Sequence, residues 1–173
     1  MTIAHRIRRL TPADTAAYRE LRLEALRSHP EAFGASLADE EARTPEMIAK
    51  RLEAGPTNCL FGAFVEDALI GTAGFIIPND SAKSRHKGLL VGVYVKPTHR
   101  GHAIGRALVQ AAIEHARGQV VMLQAAVGVA NISARRLYEQ VGFRQYGVEA
   151  KALLVGETYV DEALIVLDFT EAG

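Results

Sequence analysis

The sequence predicts an α/β fold in which helices cover both faces of a central mixed sheet. Two apolar runs, Leu89–Val95 and Val120–Val127, are rich in β-branched residues and apolar on both sides, which is typical of strands buried in the middle of a sheet. Helix-like spacing over residues 104–117 separates the two runs, so a right-handed crossover would make them parallel. The length of 173 residues is that of one domain, and we treat 1–173 as a single domain.

The chain before the first buried run is predicted to form an edge strand followed by two helices. Arg6–Leu10 is a short segment in which polar residues accompany apolar ones, which is typical of an edge strand. A Thr-Pro pair at residues 11–12 supplies the cap and first position of a helix that ends before Pro30. A second Thr-Pro pair at residues 44–45 starts another helix, which continues to about Glu53.

Hairpins precede and follow the two buried runs. Leu60–Val65 and Leu69–Ile77 are predicted to form the first hairpin. After the second buried run, a helix capped by Asn131 ends near Gly142, and the predicted strands Phe143–Leu153 and Thr158–Phe169 close the chain. The predicted order is therefore β-α-α-β-β-β-α-β-α-β-β.

Charge and composition exclude several classes of partner. Lys plus Arg and Asp plus Glu each number 20, so the net charge of zero argues against a broad nucleic-acid or membrane surface. No apolar run reaches the roughly 18 residues of a membrane span, and no signal peptide opens the chain, so we predict a cytoplasmic protein. We expect it to be a monomer or a homodimer. The histidines lack metal-ligand spacing, so no metal site is predicted, and Cys59 is interpreted as a small buried hydrophobic residue.

A basic turn rich in small residues joins the first buried strand to the helix after it. It reads Arg-Gly-His-Ala-Ile-Gly over residues 100–105, and Arg106 follows. The first N–H groups of a helix lack partners inside the helix, so they attract anions, and a turn with few side chains lets phosphate oxygens approach. The turn therefore predicts an anion site, with an ordinary crossover and a surface arginine as the alternative.

Two motifs carry a resemblance to the GNAT N-acetyltransferase superfamily. The turn resembles that family's pyrophosphate-binding pattern Gln/Arg-x-x-Gly-x-Gly/Ala: Arg100 and Gly105 match, and Ala103 stands where the first spaced glycine usually lies. The second motif, over residues 131–143, is similar to the family's helix and strand start after its fifth strand. Its matching residues are Asn131, Ala134, Leu137, Tyr138, Glu139, Gly142 and Phe143. The correspondence in element order extends from Arg6 to Phe169.

The resemblance implies transfer of the acetyl group of acetyl-CoA to a primary amine, on a small molecule or a peptide N-terminus. Because no activated Cys or Ser pattern is present, we expect direct transfer in a ternary complex. The residues implied to bind CoA are Arg100, Gly101, His102, Ala103, Ile104, Gly105 and Arg106 at the pyrophosphate, the backbone of Val93 and Val95 along the pantetheine, and Asn131 and Ser133.

Tyr138 is the implied catalytic acid, which would protonate the departing thiolate; a core tyrosine is the alternative, because Tyr138 lies on the apolar face of its helix. Gly92, inside a buried strand, is expected to sit in a bulge that turns an N–H towards the thioester, although a glycine kept for packing would look the same.

The general base and the acceptor site are less clearly marked. The strand Leu89–Val95 carries no acid, and the candidate bases are Glu24, Glu40, Glu41 and Glu162, for which a solvated face is the alternative. An apparently exposed Phe33 and Tyr159 are predicted to line the acceptor pocket, and Glu40 in the acidic run is predicted to attract a cationic acceptor.

Three other functions remain open at this point. The same scaffold can use a different acyl-CoA, or it can serve as a non-catalytic CoA-binding sensor or interaction module. An unrelated nucleotide-binding α/β fold is disfavoured, because the glycine turn comes too late in the chain for one.

Overall fold

The computed structural model describes residues 3–79 and 81–171, and the strands of this part form one seven-stranded sheet in the order β1-β2-β3-β4-β5-β7-β6. The strands are β1 (Arg6–Arg9), β2 (Asn58–Val65), β3 (Ala68–Ile76), β4 (Lys87–Val95), β5 (Met122–Gly128), β6 (Arg144–Val155) and β7 (Thr158–Asp168). β4 and β5 pair in parallel, and the other neighbours pair antiparallel. The predicted mixed sheet is confirmed.

Five α-helices accompany the sheet in the described ranges: α1 (Thr15–Ser28), α2 (Leu37–Glu41), α3 (Pro45–Leu52), α4 (Ile104–Arg117) and α5 (Ile132–Gln140). The predicted order lacks α2, which contains the acidic run. Ser36 caps this helix by accepting a 3.1 Å hydrogen bond from the backbone N–H of Asp39. A helix of five residues is too short to show a periodic apolar face, so the sequence pattern did not reveal it.

The helices bury two apolar clusters, one on each face of the sheet, as the sequence predicted. On one face, α4 inserts Leu108, Val109 and Ala112 against the central strands, and Tyr138 of α5 belongs to the same cluster. On the other face, called here the α1 face, α1 and α3 pack residues such as Leu21 and Ile48 against Leu60 and Tyr94. None of the helices in the described part of the chain is long and apolar enough to cross a membrane.

The parallel strands β4 and β5 separate towards their C-terminal ends. Their ladder pairs, within the described residues, are Lys87 with Met122, Gly88 with Leu123 and Leu89 with Gln124. Beyond Leu89 the facing edges of the two strands diverge, and both lie in the middle of the sheet. The divergence leaves a row of backbone groups on β4 facing a cleft that opens between two central strands.

A β-bulge lies in β4 beside this cleft. Gly74 of β3 faces Val91, and Thr72 faces Tyr94, so β4 carries one more residue than β3 across this interval. Gly92 has φ +62°, a conformation that glycine adopts without steric cost. The bulge that the sequence predicted at Gly92 is confirmed.

Candidate active site

The turn before α4 begins its helix without a side-chain cap from the N-cap residue. Ala103 is the N-cap of α4 and makes no side-chain capping hydrogen bond, whereas Asn131 at the start of α5 accepts a 3.1 Å bond from the N–H of Ala134. Gly101 and Ala103 both have positive φ, +79° and +60°. The first N–H groups of α4 therefore remain available, and such an arrangement fits a pyrophosphate.

Arg100 turns back towards the end of β4. Its Nε donates a 3.0 Å hydrogen bond to the carbonyl of Val95, and its guanidinium lies 5.7 Å from the ring centroid of Tyr94. A second nitrogen of the guanidinium is 3.5 Å from Nε2 of His29. Arg106 is exposed on the first turn of α4.

The N-terminus of α4, the end of β4 and α5 meet at one place. A Cβ added to Gly105 would lie 3.4 Å from Leu137 and 3.7 Å from Val95, so α5 and the end of β4 both lie beside the first turn of α4. Ile104 is 1% exposed and anchors the turn in the core, and Val93 is half-buried on the diverging part of β4. Asn131 and Ser133 are exposed at the start of α5.

Tyr138 lies in the apolar cluster on the α4 side of the sheet. The residue is 8% exposed, and its ring contacts that of Phe143 edge-on at a centroid distance of 5.7 Å. Burial raises the pKa of Tyr138 to about 12, so the phenol keeps its proton throughout the neutral range.

The bulge residue Gly92 is held from β3 and approached from α1. The hydroxyl of Thr72, a buried residue of β3, donates a 3.0 Å hydrogen bond to the Gly92 carbonyl. A Cβ built on Gly92 would point towards Nη1 of Arg22 at 3.8 Å. The bulge therefore faces a guanidinium on the α1 face of the sheet.

Phe33 is buried, so its predicted exposure is wrong. It is 8% exposed and packs edge-on against Tyr94 at 6.4 Å, with the Arg22 guanidinium 5.0 Å from its ring centroid. The 3-10 turn before it, Pro30–Ala32, lies against β5 and β6. The segment after α1 thus crosses the cleft on the α1 face, where the sequence placed the acceptor.

The structure corrects the assignment of Glu40 to the acceptor site. Its side chain is 2% exposed, and its carboxylate lies 3.7 Å from Arg22, 3.5 Å from Arg43 and 3.5 Å from Arg51. Glu40 is therefore a buried link between α1, α2 and α3, with arginines surrounding its carboxylate. Tyr159 is 56% exposed near the β6–β7 turn, and its ring centroid is 5.1 Å from the Lys151 ammonium.

The remaining candidate bases differ in what they contact. Glu24 accepts a 3.1 Å hydrogen bond from Tyr94 and pairs with Lys96 at 3.3 Å, and Glu41 pairs with Arg27 at 3.0 Å. Each of these carboxylates already has a cationic neighbour.

Glu162 is in a different environment. It lies on β7 opposite Gly128 of β5 and Glu149 of β6, and the pKa of its carboxyl is raised first by burial and then by the Glu149 charge. The described residues hold no group of three or more His, Cys, Asp or Glu side chains placed to bind a metal ion.

Comparison with known proteins identifies the family. Residues 17–143 match the family model described as the acetyltransferase (GNAT) family. The chain belongs to the GNAT family. The resemblance drawn from the turn and from the second motif is thus confirmed.

Individual GNAT relatives are similar in sequence and in fold. The N-alpha-acetyltransferase RimI of Mycobacterium tuberculosis is 32% identical over 107 residues, which are 62% of this chain and 65% of that protein, so the match spans just under two thirds of the relative. Ribosomal-protein-alanine N-acetyltransferase from Brucella melitensis aligns at a TM-score of 0.81 and 26% identity, over 94% of this chain and 99% of that one. The structure of yncA, a putative acetyltransferase from Salmonella typhimurium with its cofactor acetyl-CoA, aligns at a TM-score of 0.85 and 21% identity, over 98% of this chain and 96% of that one.

Proposed function

We propose that this chain transfers the acetyl group of acetyl-CoA to a primary amine directly, within a ternary complex. The observation that carries the proposal is the cleft between β4 and β5, which has the Gly92 bulge on its edge and the uncapped start of α4 at its end, in a GNAT domain. A relative named as an N-alpha-acetyltransferase and a structural neighbour with acetyl-CoA support the same donor and reaction.

The donor would be held at both ends of the cleft. The amides of Gly101 to Gly105 and the charges of Arg100 and Arg106 would bind the pyrophosphate, because anions are stabilised at an open helix N-terminus. The diverging edge of β4 at Val93 and Val95 offers backbone groups to the pantetheine arm, which would take the place of a neighbouring strand.

Tyr138 would stabilise the departing sulfur. Complete proton transfer from a phenol with a pKa of about 12 to a thiolate whose parent thiol has a pKa near ~8.5 runs uphill, at about 1.4 kcal/mol for each pKa unit. We therefore assign Tyr138 the role of a charge-assisted hydrogen-bond donor that stabilises the sulfur in the transition state and keeps its own proton.

Glu162 is our choice for the general base. It lies on β7, opposite the C-terminal end of β5, and points to the α1 face. Its neighbour Glu149 is also a carboxylate. Burial and the Glu149 charge raise the pKa of Glu162 towards the range in which a base accepts protons near neutral pH. The ammonium group would give one proton to Glu162, which releases it to water, and the neutral nitrogen would then attack the thioester carbonyl. As the carbon–sulfur bond breaks, the nitrogen loses a second proton through water, which balances the proton that the leaving sulfur takes up.

A protonatable base and a protonated phenol on opposite faces of the sheet favour an enzyme over a CoA-binding sensor. A cytoplasmic location and a monomeric or dimeric state remain predictions, and another acyl-CoA donor remains the alternative.

The decisive experiment measures thiol release by the purified chain. Acetyl-CoA, propionyl-CoA and succinyl-CoA would each be incubated with a panel of small amines and short peptides, and the acylated products identified by mass. We expect acetyl-CoA to be consumed fastest and only when an amine is present. Tight acetyl-CoA binding without release for any amine would support the sensor instead.

A further inference from the structure

Arg22 is a buried guanidinium that the fold leaves incompletely bonded. Its side chain is 9% exposed, and its Nε has no hydrogen-bond partner in the described part of the chain. The nearest carboxylate oxygen, Oε2 of Glu40, is 3.7 Å from that nitrogen, which is beyond hydrogen-bond distance. Because the nitrogen that faces Glu40 is not hydrogen-bonded, the ion pair is loose and compensates the buried charge of Arg22 only in part.

The charge around Arg22 is also unbalanced. Arg22, Arg43 and Arg51 all lie within 3.7 Å of the single carboxylate of Glu40, so the cluster carries an excess of positive charge. Arg43 and Arg51 are 40% and 29% exposed, so water solvates them, whereas Arg22 is shielded. An anion would therefore gain most at Arg22.

The position of Arg22 directs this charge at the proposed reaction site. Nη1 lies 3.8 Å from the place where a Cβ of Gly92 would be, and the guanidinium lies 5.0 Å from the ring centroid of Phe33. Arg22 therefore lies beside the β4 bulge, under the segment that crosses the cleft on the α1 face. An acceptor amine that reaches the bulge from this face comes within contact of it.

The opposite wall of the cleft carries the complementary charge. On the far side of β5, Glu162 of β7 lies opposite Gly128, at the C-terminal end of β5. Ala163 and Ile165 point into the α4-side core. Because successive side chains of a strand alternate between the faces, Glu162, which precedes Ala163, points to the α1 face. Arg22 and Glu162 thus both lie on the α1 face, Arg22 beside the bulge of β4 and Glu162 opposite the end of β5.

We propose that Arg22 binds an anionic group next to the acceptor amine, so that the acceptors are small α-amino-acid-like molecules with a carboxylate close to the reacting nitrogen. This inference rests on the proposed function and adds the substrate class to it. Arg22 would fix the carboxylate with its planar fork of donors, which leaves the nitrogen directed to Glu162 and the thioester. A peptide N-terminus has a neutral amide in place of that carboxylate.

The test compares L-amino acids with their carboxamides, and with dipeptides, as acceptors for the full-length wild-type protein. Because the amides have less basic amines, kcat/KM would be calculated for the unprotonated amine in each case. We expect the free acids to be preferred at least about tenfold, the effect of one charge-assisted contact. Equal kcat/KM for acids and amides, or a preference for dipeptides, would overturn the inference while leaving the proposed function intact.

Substitutions test whether Arg22 causes the preference for free acids over amides. Arg22→Gln should raise KM for the acids, leave that for the amides unchanged and keep the acetyl-CoA dissociation constant. Arg51→Gln, which removes another partner of Glu40, is the control and should keep the wild-type preference for free acids. If Arg51→Gln also loses this preference, the assignment to Arg22 is overturned. Should Arg22→Gln not fold, the wild-type comparison of acids with amides still decides. Release with neither series, while other amines of the panel give release, would overturn this inference alone; no release with any amine, while acetyl-CoA binds, would overturn the proposed function as well.

Discussion

The side-chain hydroxyl of Thr72 donates a 3.0 Å hydrogen bond to the backbone carbonyl of Gly92 and so closes the bulge of β4 from the neighbouring strand. This carbonyl has left the regular ladder, and the Thr72 hydroxyl is its replacement hydrogen-bond partner. The residue Thr72 is only 6% exposed, so the hydrogen bond is shielded from water. The contact links the fold of the sheet to the geometry of the proposed thioester site.

Thr72→Val should therefore lower both stability and activity. An unsatisfied buried carbonyl costs about 1–3 kcal/mol, so the melting temperature should fall, and kcat should fall because the bulge loses its brace. Thr72→Ser keeps the hydroxyl and is the matched control for thermal unfolding and kinetics. Equal behaviour of the Val and Ser variants would show that the hydrogen bond contributes nothing to the bulge.

Ala103→Gly should stabilise the turn before α4. Ala103 has φ +60°, where an L-residue with a Cβ pays roughly 1–2 kcal/mol, and glycine removes that strain at a smaller cost in unfolded-state entropy. We expect a higher melting temperature and unchanged or tighter acetyl-CoA binding by calorimetry.

Gly101→Ala is the counterpart with the opposite sign. Gly101 has φ +79°, and a Cβ there would meet nothing within 4 Å, so any loss of stability must come from backbone strain. A stabilised Gly101→Ala, or a destabilised Ala103→Gly, would contradict this account of the turn.

Arg100→Ala and Arg106→Ala should each raise the acetyl-CoA dissociation constant about tenfold or more, because a lost charge-assisted contact is worth about 1.5–3 kcal/mol. Arg117→Ala is the control, since it removes a charge from the last turn of the same helix, where Arg117 lies over Phe169 at 4.7 Å. Calorimetry that gives the same affinity for all three variants and the wild type would remove the turn from the CoA site.

Glu162→Gln should lower activity and raise stability. A raised carboxyl pKa in the folded protein means that the stability this group provides is present below its unfolded pKa and is lost as the pH rises through the folded pKa. At neutral pH the ionised Glu162 is therefore destabilising, and the Gln variant should melt higher. If Glu162 is the base, the acidic limb of kcat/KM should disappear in the same variant.

Glu149→Gln provides the control for that prediction. Glu149 faces Glu162 across the β6–β7 ladder, and its charge helps to raise the pKa of Glu162. Removing it should also raise stability, but it should retain activity and move the acidic limb to lower pH. Full activity in Glu162→Gln would exclude Glu162 as the base.

The sequence predicted those features that depend on neighbouring residues. The strands, the Gly92 bulge and the turn at Arg100–Gly105 are local patterns, and the structure has them where they were expected. Glu40 was misjudged because the arginines around it come from α1, α3 and the segment between α2 and α3, and no local pattern reports that convergence.

Phe33 and Arg22 were misjudged or missed for the same reason. Phe33 lies among loop residues in the sequence, and its burial depends on contact with Tyr94, which is distant along the chain. Arg22 looks like any polar residue of an amphipathic helix, and only the packing of α1 over β4 brings it to Gly92.

The central claim is that the chain catalyses acetyl transfer with the Tyr138 phenol as donor to the leaving sulfur. Tyr138→Phe removes one hydroxyl and keeps the ring that packs on Phe143, so acetyl-CoA binding and the fold should survive. Because a hydrogen bond to a charged group is worth about 1.5–3 kcal/mol, kcat should fall roughly 10- to 100-fold. With a pKa of about 12, Tyr138 should cause no alkaline fall in the wild-type rate below about pH 10.

The most direct test is therefore the kcat of Tyr138→Phe, measured by thiol release at saturating acetyl-CoA and acceptor, beside its acetyl-CoA dissociation constant and melting temperature. The account predicts a kcat at least about tenfold lower, as expected for one charge-assisted hydrogen bond, with both other quantities close to wild type. A variant that turns over at the wild-type rate, whatever its melting temperature, would contradict it and return Tyr138 to a purely structural role in the core.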